Sequence, residues 1–249
     1  MSKRQEIRER RRREQVRNRI IVIGLVVVGA LLVTFVLILP SINTATTAAN
    51  ATKTAENATP LPVVTIAPRV WNTQVDGVHL GDPNAPVKVD AYEDFRCSTC
   101  MYFSQTVEPQ IIQNYVETGK AYFTYHFFIV IDNNDGTDAS YRSANAALCA
   151  NEQNRFWDYH DTLYANQITE SASLFTDARL IKMAENLTLD MSAFNQCYQA
   201  KKYASVVQND ITLGQSLKIT GTPSIFVNGT LVSNFSLTSQ AIDSALAGK

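Results

Sequence analysis

Along the chain, runs of hydrophobic positions change period several times. The first, IIVIGLVVVGALLVTFVLIL at residues 20–39, carries no charge over 20 positions. At about 1.5 Å per helical residue it is long enough to cross a bilayer core, and it predicts a transmembrane helix. A cleaved secretory signal is the alternative, although such signals have an apolar region of only about 7–15 residues. Residues 40–70 are rich in Thr, Ala, Asn and Pro without apolar periodicity, which predicts a flexible extracytoplasmic linker. Residues 71–249 have the patterning of a compact domain.

Within that domain VKVDAY (87–92) alternates as a strand, and a helix is expected over 97–117, ending near Gly119 and kinked or interrupted by Pro109. AYFTYHFF (121–128) reads as a second strand. Apolar residues then recur at helical spacing through SYRSANAALCANEQ, FWDYHDTLYANQ and LFTDARLIKMAENL, and through a longer stretch over 192–217. SIFV and TLV flank Asn228-Gly229, a hairpin signal, and a last helix is expected over 238–247. Strand, helix, strand, several helices, hairpin and helix define an α/β class with a mixed sheet and helices on its faces.

Charge adds an orientation. The chain has 249 residues and a net charge of −1, yet residues 1–19 hold nine Lys/Arg against three Glu. The positive-inside rule places this basic segment in the cytoplasm and everything after residue 39 outside, in the cell-membrane topology of a single-pass protein. Beside a membrane span the basic run reads as a topology signal meeting anionic lipid, not as a nucleic-acid patch. Asn50, Asn57, Asn186 and Asn234 fall in glycosylation sequons that such an Asn/Thr-rich composition produces readily.

This topology puts all four cysteines, Cys97, Cys100, Cys149 and Cys197, where disulfides form and persist. Cys97 falls at a predicted helix N-terminus, where free N–H groups and the helix dipole favour a thiolate, and Cys100 lies one turn further on. The pair therefore suits thiol–disulfide exchange. Half of a zinc site is a second reading, but it lacks a matching Cys-x-x-Cys or His pair. A purely structural bridge is a third, and so small a ring would constrain little chain entropy. Thr222-Pro223, just before a strand, suits either a cis peptide bond or an ordinary turn proline. His79, His126 and His160 fit no nucleophile–base spacing, and His160 among Trp157, Tyr159 and Tyr164 reads as helix packing.

Taken together, the strand entering Cys-x-x-Cys, ANAALCANEQNRFWDYHDTLYANQ and TGTPSIFVNG resemble the DsbA-like branch of the thioredoxin superfamily over about 71–249. The resemblance implies a thioredoxin-like fold with a helical insertion at about 130–217. It implies that Cys97 is the exposed nucleophile and Cys100 the buried resolving thiol. Pro223 would be a cis-proline beside them, and Thr222 a contact for substrate backbone that tunes the redox potential. It also implies a second disulfide between Cys149 and Cys197. The dipeptide Ser98-Thr99 departs from relatives that carry Pro or His there, which bears on oxidising strength. Many relatives have a Glu six residues before the first cysteine; here that position is Ala91. Asp90, Glu93 and Asp94 read as solvated acids at a strand end, the alternative being a carboxylate that faces the pair and assists proton transfer.

The resulting expectation is a membrane-anchored thiol-disulfide oxidoreductase that oxidises exported proteins through a mixed disulfide on Cys97. By resemblance its reoxidation needs a DsbB-like or VKOR-like membrane partner. No soluble cofactor or metal is implied. A disulfide reductase and a non-catalytic thioredoxin-fold binding module are the competing readings.

Overall fold

The computed structural model describes residues 61–248. The basic start, the predicted span at residues 20–39 and the first part of the tether lie outside the described residues. Among the described residues no helix is long and apolar enough to cross a membrane.

The Gly-punctuated stretch after residue 74 forms a small hairpin, β1 (Val75–Asp76) and β2 (His79–Leu80), turned by Gly77 at φ 59°. Strands of two residues leave no periodicity to read in a sequence. β3 (Val87–Glu93) leads into helix α1 (Ser98–Thr106). Pro109 cannot donate to the preceding turn, so the helix breaks at Val107 and restarts as α2 (Glu108–Ile111), continued by a π-helical stretch over Ile112–Val116. β4 (Ala121–Phe127) runs parallel to β3.

The helices that follow are α3 (Ile131–Asp135), α4 (Ala139–Asn151), α5 (Phe156–Ala165), α6 (Asp177–Asn186), α7 (Met191–Gln199) and α8 (Ala204–Ser216). The expected single helix over 192–217 is thus two. The break lies at residues 200–203, where Lys201 adopts φ 48°, a left-handed conformation that ends a helix. β5 (Ser224–Val227) and β6 (Thr230–Leu231) close the hairpin, with Asn228 and Gly229 both at positive φ, and α9 (Thr238–Ala247) follows.

The strand order is β1-β2-β4-β3-β5-β6, with only the β3–β4 pair parallel. Alternation on β3 turns Val87, Val89 and Ala91 into the main core. On β4 the same period sends Phe123, Tyr125 and Phe127 to meet Phe156, Trp157 and His160 of α5. On the opposite face Tyr92 packs with Phe128, Ile219 and Phe226 in a smaller cluster.

The stretch at residues 61–70 is extended and tied to the helices. The side chain of Asn166 pairs with both N–H and C=O of Val64, at 2.8 Å each. Arg69 bridges Glu108 and Asp161.

Candidate active site

β3 ends at the chemistry. After Glu93 the chain turns, Cys97 donates its N–H to the Asp94 carbonyl (2.9 Å), and Cys97 caps α1. The turn is fixed by the Asp94 carboxylate, which accepts N–H bonds from Arg96, Val130 and Ile131 at 2.9–3.0 Å. Both cysteines are free thiols here; Cys97, expected to be exposed, is buried at 7% exposure beneath Thr222, and Cys100 is fully buried. The Thr222–Pro223 bond is cis, and the Cys97 thiol lies 3.3 Å from the Thr222 carbonyl oxygen, to which it donates. Of the residues singled out in the sequence, Cys97, Ser98, Thr99, Cys100, Thr222 and Pro223 are therefore together. Cys149 and Cys197 are joined as a disulfide, with Cα atoms 5.8 Å apart, linking α4 to α7.

The two sulfurs sit in opposite electrostatic situations. A hydrogen bond from Cys100 pulls the Cys97 thiol down to about 6 against the cost of burial, helped by the Thr222 side chain and by the N–H groups of Cys100 and Thr99. Cys100 is pushed well up by burial and by that same bond to Cys97.

Glu93 and Asp94 are not solvated, contrary to the simplest reading of the sequence, whereas Asp90 stays about one-third exposed. Glu93 and Asp94 are 0% and 1% exposed, and Asp90 pairs with His126 at 3.2 Å. Glu93 continues the inward face of Val87, Val89 and Ala91, so strand alternation alone carries it into the core. Its Oε2 accepts a bond from the Tyr164 hydroxyl at 3.0 Å. Burial and the nearby Glu108 push its carboxyl well above the ordinary range, which favours its protonated form.

Two further residues escaped sequence reasoning. Buried Arg96, just before Cys97, pairs with Asp132 (2.7 Å) and Asp135 (2.5 Å) of α3 and donates to the Glu170 carbonyl. Glu170 in turn accepts from both the N–H (3.2 Å) and hydroxyl (2.8 Å) of Ser98. The insertion thereby places a carboxylate at the N-terminus of α1. The loop between α5 and α6 has no local signal for this contact, because its partner lies 72 residues away.

Residues of metal-ligating type also meet elsewhere. Glu108, His160 and Asp161 bring one ligand atom each within 4.8 Å of one another. The chain supplies the cation there itself, since the Arg69 guanidinium binds Glu108 at 3.2 Å and also binds Asp161.

A Cys-x-x-Cys pair at a helix N-terminus, with one thiol depressed, one buried and a cis-proline alongside, on this sheet with its helical insertion, defines a DsbA-like thiol-disulfide oxidoreductase. The chain belongs to the thioredoxin family, whose model, described as Thioredoxin, matches residues 73–246. It is 31% identical over 172 residues to a Bacillus anthracis protein named "Probable disulfide bond formation protein D", covering 67% of this chain and 77% of that one. The crystal structure of oxidised BdbD from Bacillus subtilis matches with TM-score 0.62 and 25% identity, over 71% of this chain and 97% of that one. Chlamydia trachomatis DsbA, at 21% identity and TM-score 0.61 over 74% and 99% of the two chains, shares the fold.

Proposed function

We infer that this chain is a membrane-anchored, extracytoplasmic oxidase of protein thiols that works through Cys97. The observation that carries the reading is the opposition of the two sulfurs: Cys97 held near pKa 6 as a leaving group, Cys100 buried beside a protonated Glu93. The names of its relatives, disulfide bond formation proteins, support the direction. The uncharged run at residues 20–39 after a basic start supports the anchor, with residues 1–19 cytoplasmic, a linker to about residue 70 and the catalytic domain outside.

In the oxidised enzyme a substrate thiolate attacks Cys97 Sγ. The Cys97–Cys100 bond breaks, a mixed disulfide forms on Cys97, and Cys100 leaves, taking the proton of Glu93. A second substrate thiolate then attacks the substrate sulfur of the mixed disulfide, and Cys97 departs as a thiolate that its low pKa favours. Two electrons have moved from substrate to enzyme. Ser98, Thr99, Thr222 and Pro223 form the surface that receives the substrate chain, and Cys149–Cys197 is structural. A DsbB-like or VKOR-like membrane protein would reoxidise the pair.

The purified full-length chain, oxidised and mixed with a reduced model substrate, should oxidise it. Cys97→Ser and Cys100→Ser should each abolish turnover, Cys100→Ser should trap a mixed disulfide on Cys97 when a disulfide-bonded substrate is supplied, and Cys149→Ser should retain exchange. Activity surviving Cys97→Ser would end this assignment. The Glu170 carboxylate beside Ser98 gives the reductase reading its one specific support, since an anion there opposes a Cys97 thiolate and weakens the oxidant. The equilibrium constant of the pair with glutathione separates the two directions.

A further inference from the structure

Glu93 is enclosed, and the proton it exchanges with Cys100 must come from somewhere. Its surroundings are the sulfurs of Cys97 and Cys100, the hydroxyls of Tyr125 and Tyr164, and the carboxylate of Glu108. Oε1 of Glu93 is buried without a hydrogen-bond partner among the described residues, and so are Oε2 of Glu108 and Nε2 of His160. Three unpaired polar atoms in one aromatic core are costly unless they serve a purpose.

Their order in space is informative. Glu108 lies two helical turns beyond Cys100, at the break before Pro109, and is fully buried. His160 Nε2 stands 3.6 Å from Glu108 Oε2, and its ring meets the ring of Tyr164, which binds Glu93, at 4.9 Å. On its far side His160 Nδ1 donates to Asp161 at 2.9 Å. Asp161 and Glu108 are both held by Arg69, whose side chain is 27% exposed. These polar groups thus lie in sequence from the buried sulfur to partly exposed Arg69, with a ring contact and no direct hydrogen bond between Tyr164 and His160.

Building on the exchange mechanism above, we propose that Glu108 and His160 form a second proton station that connects Glu93 with solvent at the Asp161–Arg69 mouth. When Cys100 leaves as a thiolate it takes the proton of Glu93, and the Glu93 carboxylate recovers one through the Glu108–His160 pair, which refills from water at Arg69. On reoxidation, with Cys97 in a mixed disulfide with the oxidising partner, the same path runs outward: the pair first draws the proton off Glu93, whose carboxylate then takes the Cys100 proton as that sulfur attacks Cys97 and expels the partner's thiolate. No electron moves along the path. Repulsion by Glu108, which together with burial favours the protonated form of Glu93, fits this arrangement. Glu108 and His160 act through Glu93 and are positioning residues, not catalytic ones.

The test is single-turnover reoxidation of the reduced full-length chain by a disulfide-bonded cysteine peptide, a step in which the path must first empty Glu93, followed across pH in light and heavy water. Glu108→Gln and His160→Gln should each slow the step about tenfold or more. Both should enlarge its solvent isotope effect, leave the Cys97 titration in place, and recover rate when a small carboxylate such as formate is added. Glu108→Asp should recover part of the rate without added formate. Unchanged rates and isotope effects in both Gln variants would overturn the proposal, as would slowing that formate does not relieve. Should these variants fail to fold, the wild-type rate in mixed light and heavy water decides. A bowed dependence, meaning several protons in flight, supports the path, and a straight line refutes it. A wild-type chain that does not react with the peptide at all would instead refute the exchange mechanism.

Discussion

At the scale of single residues the site is a division of labour between two thiols one helical turn apart. Cys97, drawn down to about 6, is mostly thiolate at neutral pH, whereas Cys100 stays protonated. Alkylation of the reduced chain should therefore rise with pH through a midpoint near 6 that disappears in Cys97→Ser; a midpoint in the ordinary thiol range would contradict the electrostatics described. A lowered folded-state value stabilises the reduced form. This stabilisation is complete above the ordinary thiol value and is lost as pH falls through about 6, at about 1.4 kcal/mol per unit. Glu170 works the other way. Because its carboxylate competes with the thiolate for the N-terminus of α1, Glu170→Gln should lower the Cys97 midpoint by a few tenths of a unit and make the disulfide a slightly stronger oxidant, read by equilibration with glutathione. No change would mean that water screens this charge completely, and a rise would overturn the electrostatic argument. The cysteines and Thr222-Pro223 were legible from their types and spacing, and Glu93 was legible in principle, since it extends the apolar alternation of β3. Glu170 and Arg96 were not, because their roles depend on contacts that only the folded insertion creates.

At the scale of elements, β4 and α8 are fastened across the smaller core by His126. Its two ring nitrogens meet Asp90 and Asp210 at 3.2 Å, its ring stacks on Tyr92 at 4.5 Å, and Asp210 also accepts the Phe127 N–H. Burial disfavours the imidazolium, but the bonds to Asp210 and Asp90 outweigh it and push the group up to about 9. A raised value contributes stability that is fully present below the ordinary histidine range and disappears as pH rises through about 9. Denaturant midpoints should therefore fall between neutral pH and about pH 10, and His126→Gln should flatten that fall. An equal slope in the variant would assign it to other groups. Strand positions and helix spacing made β3, β4, α1 and the hairpin readable from sequence, because each is long enough or has turn residues explicit enough to show its period. β1 and β2 are too short for that. The division of α7 from α8 hides in Lys201, whose left-handed backbone no residue preference announces.

At the scale of the whole molecule, the insertion is a set of helices between two parts of one sheet, and its long excursion has to be held against chain entropy. Cys149 and Cys197 cross-link it over a separation of 48 residues, joining α4, whose Ala144, Ala146, Ala147 and Ala150 are fully buried, to α7. Closing a loop of that length in the unfolded chain is worth about 4 kcal/mol in the chain-entropy model. The double replacement Cys149→Ala/Cys197→Ala should therefore cost about that much and lower the melting temperature by roughly 10 °C. The chemistry belongs to other sulfurs, with no bond shared between the two pairs. The variant should thus keep the Cys97 midpoint near 6 and its exchange rate at temperatures where it remains folded. Both measurements are needed, because each separates the structural role from a redox one. Loss of exchange with stability intact would make the second disulfide a relay in electron transfer, whereas loss of stability with exchange intact leaves it as the staple that lets so small a sheet carry so large an insertion.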